Sequence, residues 1–337
     1  MYISSVSIEN FRAFKEKTVF HFNPGVTVLI GENDCGKSTV IDAIRYVLGT
    51  TDQSWQRVEL SDYHQENTDN EIHITITFSN LTVREKAAFL ECLTYTKDEE
   101  ILIINWSAKY MTNVKPHRTF VSVNCGRNAD VAAPSAEARE LLRVTYLKPL
   151  RDAQAQMRSG RGSRLAQILS SIPDLNLGER EYKEGIDITS LSLAGIFDLS
   201  NQLLAEHKVI KAVNKGIGDI LNTELMLNND AVKTQITVAG DGNTDEKKIY
   251  SLLEKLDLNI QKDSVSNYGN VGLGTSNLMS MACEMLLNQD NNELSTFMLI
   301  EEPEAHLHPQ LQVKFIKYLE TLAATLPNSQ VIVSTHS

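Results

Sequence analysis

The chain has 337 residues, of which 42% are hydrophobic and 22% charged, with a net charge of −11. This length suits about two domains with a sizeable core, and the acidic balance argues against a surface coated with nucleic-acid-binding charge. The four cysteines are dispersed without a C-x-x-C pair, which argues against a zinc or disulfide framework and favours a reducing cytoplasm. No apolar run approaches the ~20 residues of a membrane helix, so we expect no membrane partner.

The segment 26–49 predicts a strand, a glycine turn and a helix. "VTVLI" (26–30) is apolar and β-branched, and the apolar residues after position 39 recur at helical spacing. The turn "GENDCGKST" matches G-x-x-x-x-G-K-[ST] at Gly31, Gly36, Lys37 and Ser38. Because a strand precedes the turn and a helix follows it, a P-loop that binds a nucleoside triphosphate is favoured over a chance glycine-lysine turn.

The residue types of this turn suit a phosphate chain. Gly31 and Gly36 keep the loop tight and open, so that phosphate oxygens can reach backbone N–H groups at the start of the helix. Lys37 can supply a point charge to the β- and γ-phosphates, and Ser38 can offer its hydroxyl to Mg²⁺. We therefore expect ATP and Mg²⁺ as cofactors.

The sequence pattern in the middle of the chain changes from strand-like to helical. The segments 71–78, 101–110 and 118–125 alternate at period two and predict an antiparallel sheet beside the nucleotide core. The segment 203–222 predicts a helix with a narrow apolar seam. The seam comprises Ile210, Val213, Ile217 and Ile220. It suits either a dimerisation arm or packing within the chain.

A cluster of arginines stands out in this acidic protein. Its members are Arg151, Arg158, Arg161 and Arg164. They either contact phosphate groups of DNA or of the nucleotide, or form a solvated helix face with a flexible loop. No aromatic residues interleave them, so base stacking with single strands is not supported.

Two acidic residues follow a second buried strand. "FMLI" (297–300) ends in Glu301 and Glu302, which places both carboxylates at the carboxyl edge of a parallel sheet, where ligands collect. We assign Glu301 to the Mg²⁺ shell and Glu302 to the general base that acts on the attacking water. The alternative is an acidic strand end that meets only solvent.

A third apolar strand, "QVIVST", leads to His336. A histidine at this tip can hydrogen-bond the γ-phosphate and the attacking water, whereas the alternative is a satisfied structural histidine. The two preceding motifs favour the functional interpretation.

Three motifs occur in order along the chain: the P-loop, the strand that ends in Glu301 and Glu302, and the strand that leads to His336. Together they resemble the ATP-binding-cassette (ABC) ATPase heads of the SMC and RecF superfamily. Two segments, "ISSVSIENFRAF" (3–14) and "IEEPEAHLHPQ" (300–310), bring the chain closer to the OLD (overcoming lysogenization defect) family of ATP-dependent nucleases, and "YLKPLRDAQAQ" (146–156) also resembles a segment of these ATPase domains. The resemblance implies an α/β P-loop ABC-type ATPase head with an antiparallel β subdomain. The head would comprise residues 1–150 and 265–337. Residues 151–264 would form an inserted, mainly helical region that serves as a dimerisation arm.

The resemblance also implies a set of site residues. The nucleotide-binding set is Gly31, Asn33, Asp34, Gly36, Lys37, Ser38 and Thr39. Glu301 corresponds to the Walker B acid, Glu302 to the catalytic glutamate and His336 to the switch histidine. His306 and His308 fall in the D-loop, and Arg12 lies either near the nucleotide or on the surface as a structural residue.

Heads of this class carry a signature loop that caps the γ-phosphate of a partner head, but the usual L-S-G-G-Q is absent here. The segment 270–286 is the candidate, with Gly272, Gly274 and Ser276 before a helix. An ordinary loop that begins a helix is the alternative. Gln154 and Gln156 are candidates for the Q-loop.

The resemblance implies an ATPase that regulates an OLD-like DNA endonuclease in defence against phage or foreign DNA. It implies a homodimer formed through the head and the helical arm, DNA as a ligand of the full-length protein, and a defence-system partner protein. An OLD protein continues into a Toprim nuclease domain, whose Glu and Asp-x-Asp set is not found here, so we expect this chain to be the ATPase portion. The alternatives are a RecF/SMC-like repair ATPase without a nuclease and a nucleotide-dependent dimerisation switch with negligible turnover.

Overall fold

A computed structural model gives the fold. It describes residues 1–51, 56–97, 99–112, 118–148, 160, 163–172, 175, 177–220, 236, 244–256, 258, 278–279, 282–283, 286, 295–304, 307–325 and 329–335. The chain divides into two compact units, one of residues 1–151 with 272–337 and the other of residues 152–271. The first unit is therefore discontinuous in sequence.

The strands and helices are named in chain order. The strands are β1 (Tyr2–Glu9), β2 (Thr18–His21), β3 (Gly25–Ile30), β4 (Ile72–Ser79), β5 (Leu93–Tyr95), β6 (Glu100–Met111), β7 (Arg118–Cys125), β8 (Val131–Ala132), β9 (Val144–Leu147), β10 (Thr296–Glu301) and β11 (Ser329–Thr335). The helices are α1 (Lys37–Leu48), α2 (Val83–Ala88), α3 (Ala136–Glu140), α4 (Arg164–Ser171), α5 (Leu193–Glu206), α6 (Lys208–Ile220), α7 (Asp245–Leu253) and α8 (Pro309–Thr325).

The first unit contains two sheets. The antiparallel sheet has seven strands in the order β2-β1-β4-β6-β7-β8, and β5 also pairs with β6. The parallel sheet has four strands in the order β3-β11-β10-β9. Strand β11 thus lies between the strand before the P-loop and the strand that ends in Glu301.

Helix α1 packs between the two sheets. Its buried face includes Ile41 and Ile44, which share one core with Ile74 of the antiparallel sheet and with Leu299 and Ile332 of the parallel sheet. Burial of such side chains contributes about 1.5–3 kcal/mol each. The core therefore fixes the helix that starts at the P-loop against both sheets.

A buried polar cluster joins the start of the chain to the start of β10. The Glu85 carboxylate accepts hydrogen bonds from the α-ammonium of Met1 at 2.7 Å and from the Ser295 hydroxyl at 2.6 Å. The backbone N–H of Thr82 donates to the same carboxylate at 2.8 Å. The Glu85 and Met1 groups are 0% and 1% exposed, so this ion pair is shielded from solvent.

The second unit is helical in its described part. Helices α4, α5 and α7 share a small core that includes Ala166, Ala194 and Leu253. The predicted single helix over 203–222 is wrong in one respect, because His207 adopts an extended backbone and separates α5 from α6. Val213 and Ile217 of the predicted seam are each 43% exposed. Whether this seam forms a dimerisation arm stays a prediction.

The predicted α/β fold class, with an antiparallel sheet beside the parallel sheet and an inserted helical region, is confirmed. The described helices include none with the length and apolar content needed to traverse a lipid bilayer.

Candidate functional site

The glycine turn leads directly from β3 into α1. Gly36 has φ of 98°, in the left-handed region, and a Cβ there would lie 2.7 Å from Cζ of Phe14. Gly36 is the N-cap residue of α1, so the N-cap position itself provides no side-chain hydrogen bond. The positive φ and the close approach of Phe14 both require glycine at this position. Because glycine has no side chain, the N-terminus of the helix stays open to an anion.

We expect Gly36→Ala to be more destabilising than Gly25→Ala. Both glycines have a positive φ, but a Cβ at Gly25 meets nothing within 4 Å. The left-handed conformation alone costs an L-residue about 1–2 kcal/mol, and Gly36→Ala adds the clash with Phe14. Urea denaturation of the two variants measures the difference. Equal losses of stability would show that Phe14 moves aside without cost.

Lys37 is held inside the loop that precedes it. Its ammonium donates hydrogen bonds to the carbonyl oxygens of Gly31 and Glu32, each at 2.7 Å. The residue is only 9% exposed. A positive charge is therefore fixed at the start of α1, beside the N–H groups of its first turn.

Glu301 ends β10 and is 6% exposed. Its Oε2 accepts a hydrogen bond from the Tyr146 hydroxyl. Burial and the neighbouring Glu301 carboxylate raise the pKa of Tyr146, so the hydroxyl stays protonated and acts as donor.

The other oxygen of Glu301, Oε1, differs from Oε2 in its surroundings. It is buried without a hydrogen bond among the described residues. A buried carboxylate oxygen without a partner is costly, and oxygen ligands of this kind suit Mg²⁺. The Oε1 atom of Glu301 is therefore chemically suited to bind a magnesium ion.

Glu302 adopts a strained backbone conformation. Its φ is 43°, a value that residues other than glycine rarely adopt, and its N–H donates to Ser334 O at 2.9 Å. This hydrogen bond ties the first residue after β10 to the end of β11. Strain of this kind often accompanies functional sites.

One cavity of about 740 Å³ brings the P-loop and Glu302 together. Its lining comprises Ala13, Asn33, Asp34, Gly36, Lys37, Ser38, Thr39 and Glu302. All but one of these were predicted from the sequence as site residues. Ala13 was not, although it adjoins the segment on which the family resemblance rests.

Other predicted site residues lie elsewhere. Gly31 begins the loop but does not line the cavity. Arg164 begins α4, and His308 is exposed just before α8. Several predicted positions lie outside the described residues: Arg151, Gln154, Gln156, Arg158, Arg161, Gly272, Gly274, Ser276, His306 and His336.

Arg12 belongs to an ion-pair network. Its Nε donates to Asp62 Oδ1 at 2.8 Å, and its guanidinium also pairs with Asp42 of α1. Burial opposes the charge, but the two carboxylates more than offset this effect and raise the pKa of Arg12. The second arginine of the network, Arg45, pairs with Asp42 as well. Arg12 had two open interpretations, a position near the nucleotide or a structural role. The described contacts are ion pairs of the structural kind.

The model of the AAA ATPase domain family matches residues 1–127 and 151–337. The chain belongs to this family. The chain is also 24% identical to an OLD nuclease of Thermus scotoductus over 99% of its own length and 59% of the length of that protein. It is 24% identical to the retron Ec83 probable ATPase of Escherichia coli over 99% of this chain and 68% of that protein.

Among solved structures, the AAA ATPase domain is similar to an SMC head bound to the C-terminal winged-helix domain of ScpA. The identity is 18%, the coverage is 100% of this chain and 90% of that chain, and the TM-score is 0.48. The predicted relationship to OLD-type ATPases is confirmed by the comparisons.

Proposed function

We propose that this AAA ATPase domain binds ATP with Mg²⁺ and hydrolyses it. The observation that carries the proposal is the shared cavity, since Glu302 lines it together with six residues of the P-loop. A phosphate-binding turn and a carboxylate in one cavity are what hydrolysis of a phosphoanhydride requires.

The P-loop would hold the triphosphate. Gly36 lets the phosphate chain approach the backbone, and the N–H groups at the start of α1 donate to its oxygens. Lys37 supplies the positive charge to the β- and γ-phosphates, as in other P-loop proteins. Ser38 and Glu301 Oε1 would hold Mg²⁺, which neutralises phosphate charge when bound.

Glu302 would act on the attacking water. Its carboxylate accepts a proton from the water as the water oxygen bonds to the γ-phosphorus, and the bond to the β–γ bridging oxygen breaks. ADP and inorganic phosphate are the products. His336 would hydrogen-bond the γ-phosphate, as the family resemblance implies.

We further propose that this ATPase regulates DNA cleavage by an OLD-like endonuclease in defence against phage or foreign DNA. The OLD nuclease relative, matched along nearly all of this chain, supports this proposal. A homodimer through the head and the helical arm, DNA bound by the whole protein, a defence partner and a cytoplasmic location belong to the same proposal. The alternative is a nucleotide-dependent dimerisation switch or a RecF/SMC-like repair ATPase.

Calorimetric titration of ATP in the presence of Mg²⁺ tests the binding step. The wild type should bind, and Lys37→Ala should bind about 10- to 100-fold more weakly, because a charge-assisted hydrogen bond contributes about 1.5–3 kcal/mol. Lys109→Ala is the matched control, since Lys109 is 59% exposed and pairs with Glu71 away from the cavity. Absence of Mg²⁺-dependent ATP binding by the wild type would refute the proposal.

A further inference from the structure

Tyr146 reaches Glu301 from the neighbouring strand. In the parallel pairing of β9 with β10, Tyr146 lies opposite Leu299, two residues before Glu301. Its hydroxyl donates to Oε2 of Glu301, and Oε1 is the oxygen left buried without a partner in the described structure. One hydrogen bond thus distinguishes the two oxygens of this carboxylate.

Arg45 fixes the ring of Tyr146 in turn. The guanidinium carbon of Arg45 lies 3.7 Å from the centroid of the Tyr146 ring, which is close enough for a cation–π contact. The Arg45 side chain is 14% exposed and forms an ion pair with Asp42, one turn earlier on α1. Helix α1 begins at Lys37 of the P-loop. The same helix therefore contacts Tyr146 through Arg45, and Tyr146 in turn hydrogen-bonds to Glu301.

We propose that Tyr146 is a positioning residue that fixes Glu301 by its Oε2 and thereby presents Oε1 to Mg²⁺, with Arg45 fixing the tyrosine ring. This inference rests on the proposed function, because it requires magnesium at Glu301. A carboxylate turns freely about its terminal bond, and a second hydrogen-bonding group that orients a ligand typically changes metal affinity by about 10- to 100-fold.

A purely structural role for Tyr146 makes a different prediction. The ring packs against the main core of the first unit, and Phe would retain this packing and the stacking with Arg45. Tyr146→Phe removes only the hydroxyl. A structural role therefore predicts no change in metal dependence from this substitution, whereas a positioning role predicts a large one.

The test measures ATP affinity by calorimetry twice for each variant, once with Mg²⁺ and once with EDTA. The ratio of the two affinities reports how strongly the metal and the nucleotide are coupled. For Tyr146→Phe we expect the ratio to fall about 10- to 100-fold, while the affinity in EDTA and the unfolding temperature without nucleotide stay close to wild type. Arg45→Lys should lower the ratio in the same direction by less, since it keeps the charge but loses the flat contact with the ring.

Tyr46→Phe is the matched control. The Tyr46 hydroxyl donates to Asp62 Oδ2 at 2.9 Å, so its loss removes a comparable hydrogen bond that does not involve Glu301. This variant should keep the wild-type ratio. An unchanged ratio in both Tyr146→Phe and Arg45→Lys would overturn the inference, and so would an equal loss of affinity with Mg²⁺ and with EDTA. If Mg²⁺ does not raise the ATP affinity of the wild type, the proposed magnesium site is refuted, and the inference with it.

Discussion

Glu302→Gln should lower ATP turnover by about 10²- to 10⁴-fold, the usual contribution of a general base, while ATP still binds. The amide has nearly the shape of the carboxylate but cannot accept the proton of the attacking water. Glu302 is the acidic residue after β10 that lines the cavity of the P-loop. Phosphate release under saturating ATP measures turnover, and calorimetry measures binding.

Glu304→Gln is the control for this experiment. Glu304 lies two residues further along, where its Oε1 accepts a hydrogen bond from the Thr335 hydroxyl at 2.6 Å. It does not line the cavity, so its substitution should leave most of the turnover. Equal turnover in the wild type and Glu302→Gln would exclude Glu302 as the base. If the wild type binds ATP but releases no phosphate, only the interpretation as a nucleotide-dependent dimerisation switch remains.

Glu85→Gln should lower the free energy of unfolding by about 3–5 kcal/mol, because it leaves a buried ammonium without its counter-charge. The Met1 ammonium donates to Glu85 at 2.7 Å in a cluster with almost no solvent exposure. Urea denaturation measures the loss. Glu100→Gln is the control, since Glu100 pairs at 2.7 Å with Lys86 on the surface, where such a pair contributes about 0–1 kcal/mol.

The same carboxylate predicts a dependence of stability on pH. Burial favours the neutral acid, but hydrogen bonds from the Met1 ammonium, Ser295 and Thr82 outweigh it, so the pKa of Glu85 is lowered. The unfolded chain then binds more protons than the folded one at mildly acidic pH. The stabilisation by Glu85 is complete above the ordinary carboxyl pKa and disappears as the pH falls through the lowered pKa. Below neutral pH, the free energy of unfolding should therefore fall less steeply with decreasing pH in Glu85→Gln than in the wild type. Equal slopes in the two proteins would contradict this assignment.

Local signals in the sequence predicted much of the site. The P-loop is a contiguous pattern whose glycines have a direct conformational cause, as the φ of 98° at Gly36 shows. Glu302 could be placed because apolar β10 precedes it and strand ends in a parallel sheet gather ligands. Each prediction needed only a short segment and its neighbours.

The contacts that the sequence did not predict are long-range or finely balanced. Tyr146 and Glu301 are 155 positions apart, and nothing in "VTYL" shows where a hydroxyl will meet a carboxylate. Arg12 was left with two interpretations, because its partners Asp42 and Asp62 come from separate elements. The break at His207 lies just before the apolar seam that begins at Ile210, so the spacing within that seam could not reveal it.

The position of β11 has a consequence for synthesis on the ribosome. Strand β3 pairs in the described structure with β11, and the side chain of Gln330 in β11 bonds to the backbone of Asn23, 307 positions earlier. At the usual 5–20 residues per second, the early strand waits about 15–60 s for its neighbour to be translated. The nucleotide pocket is thus completed late, and a nascent chain that has not yet reached β11 should be unable to retain ATP.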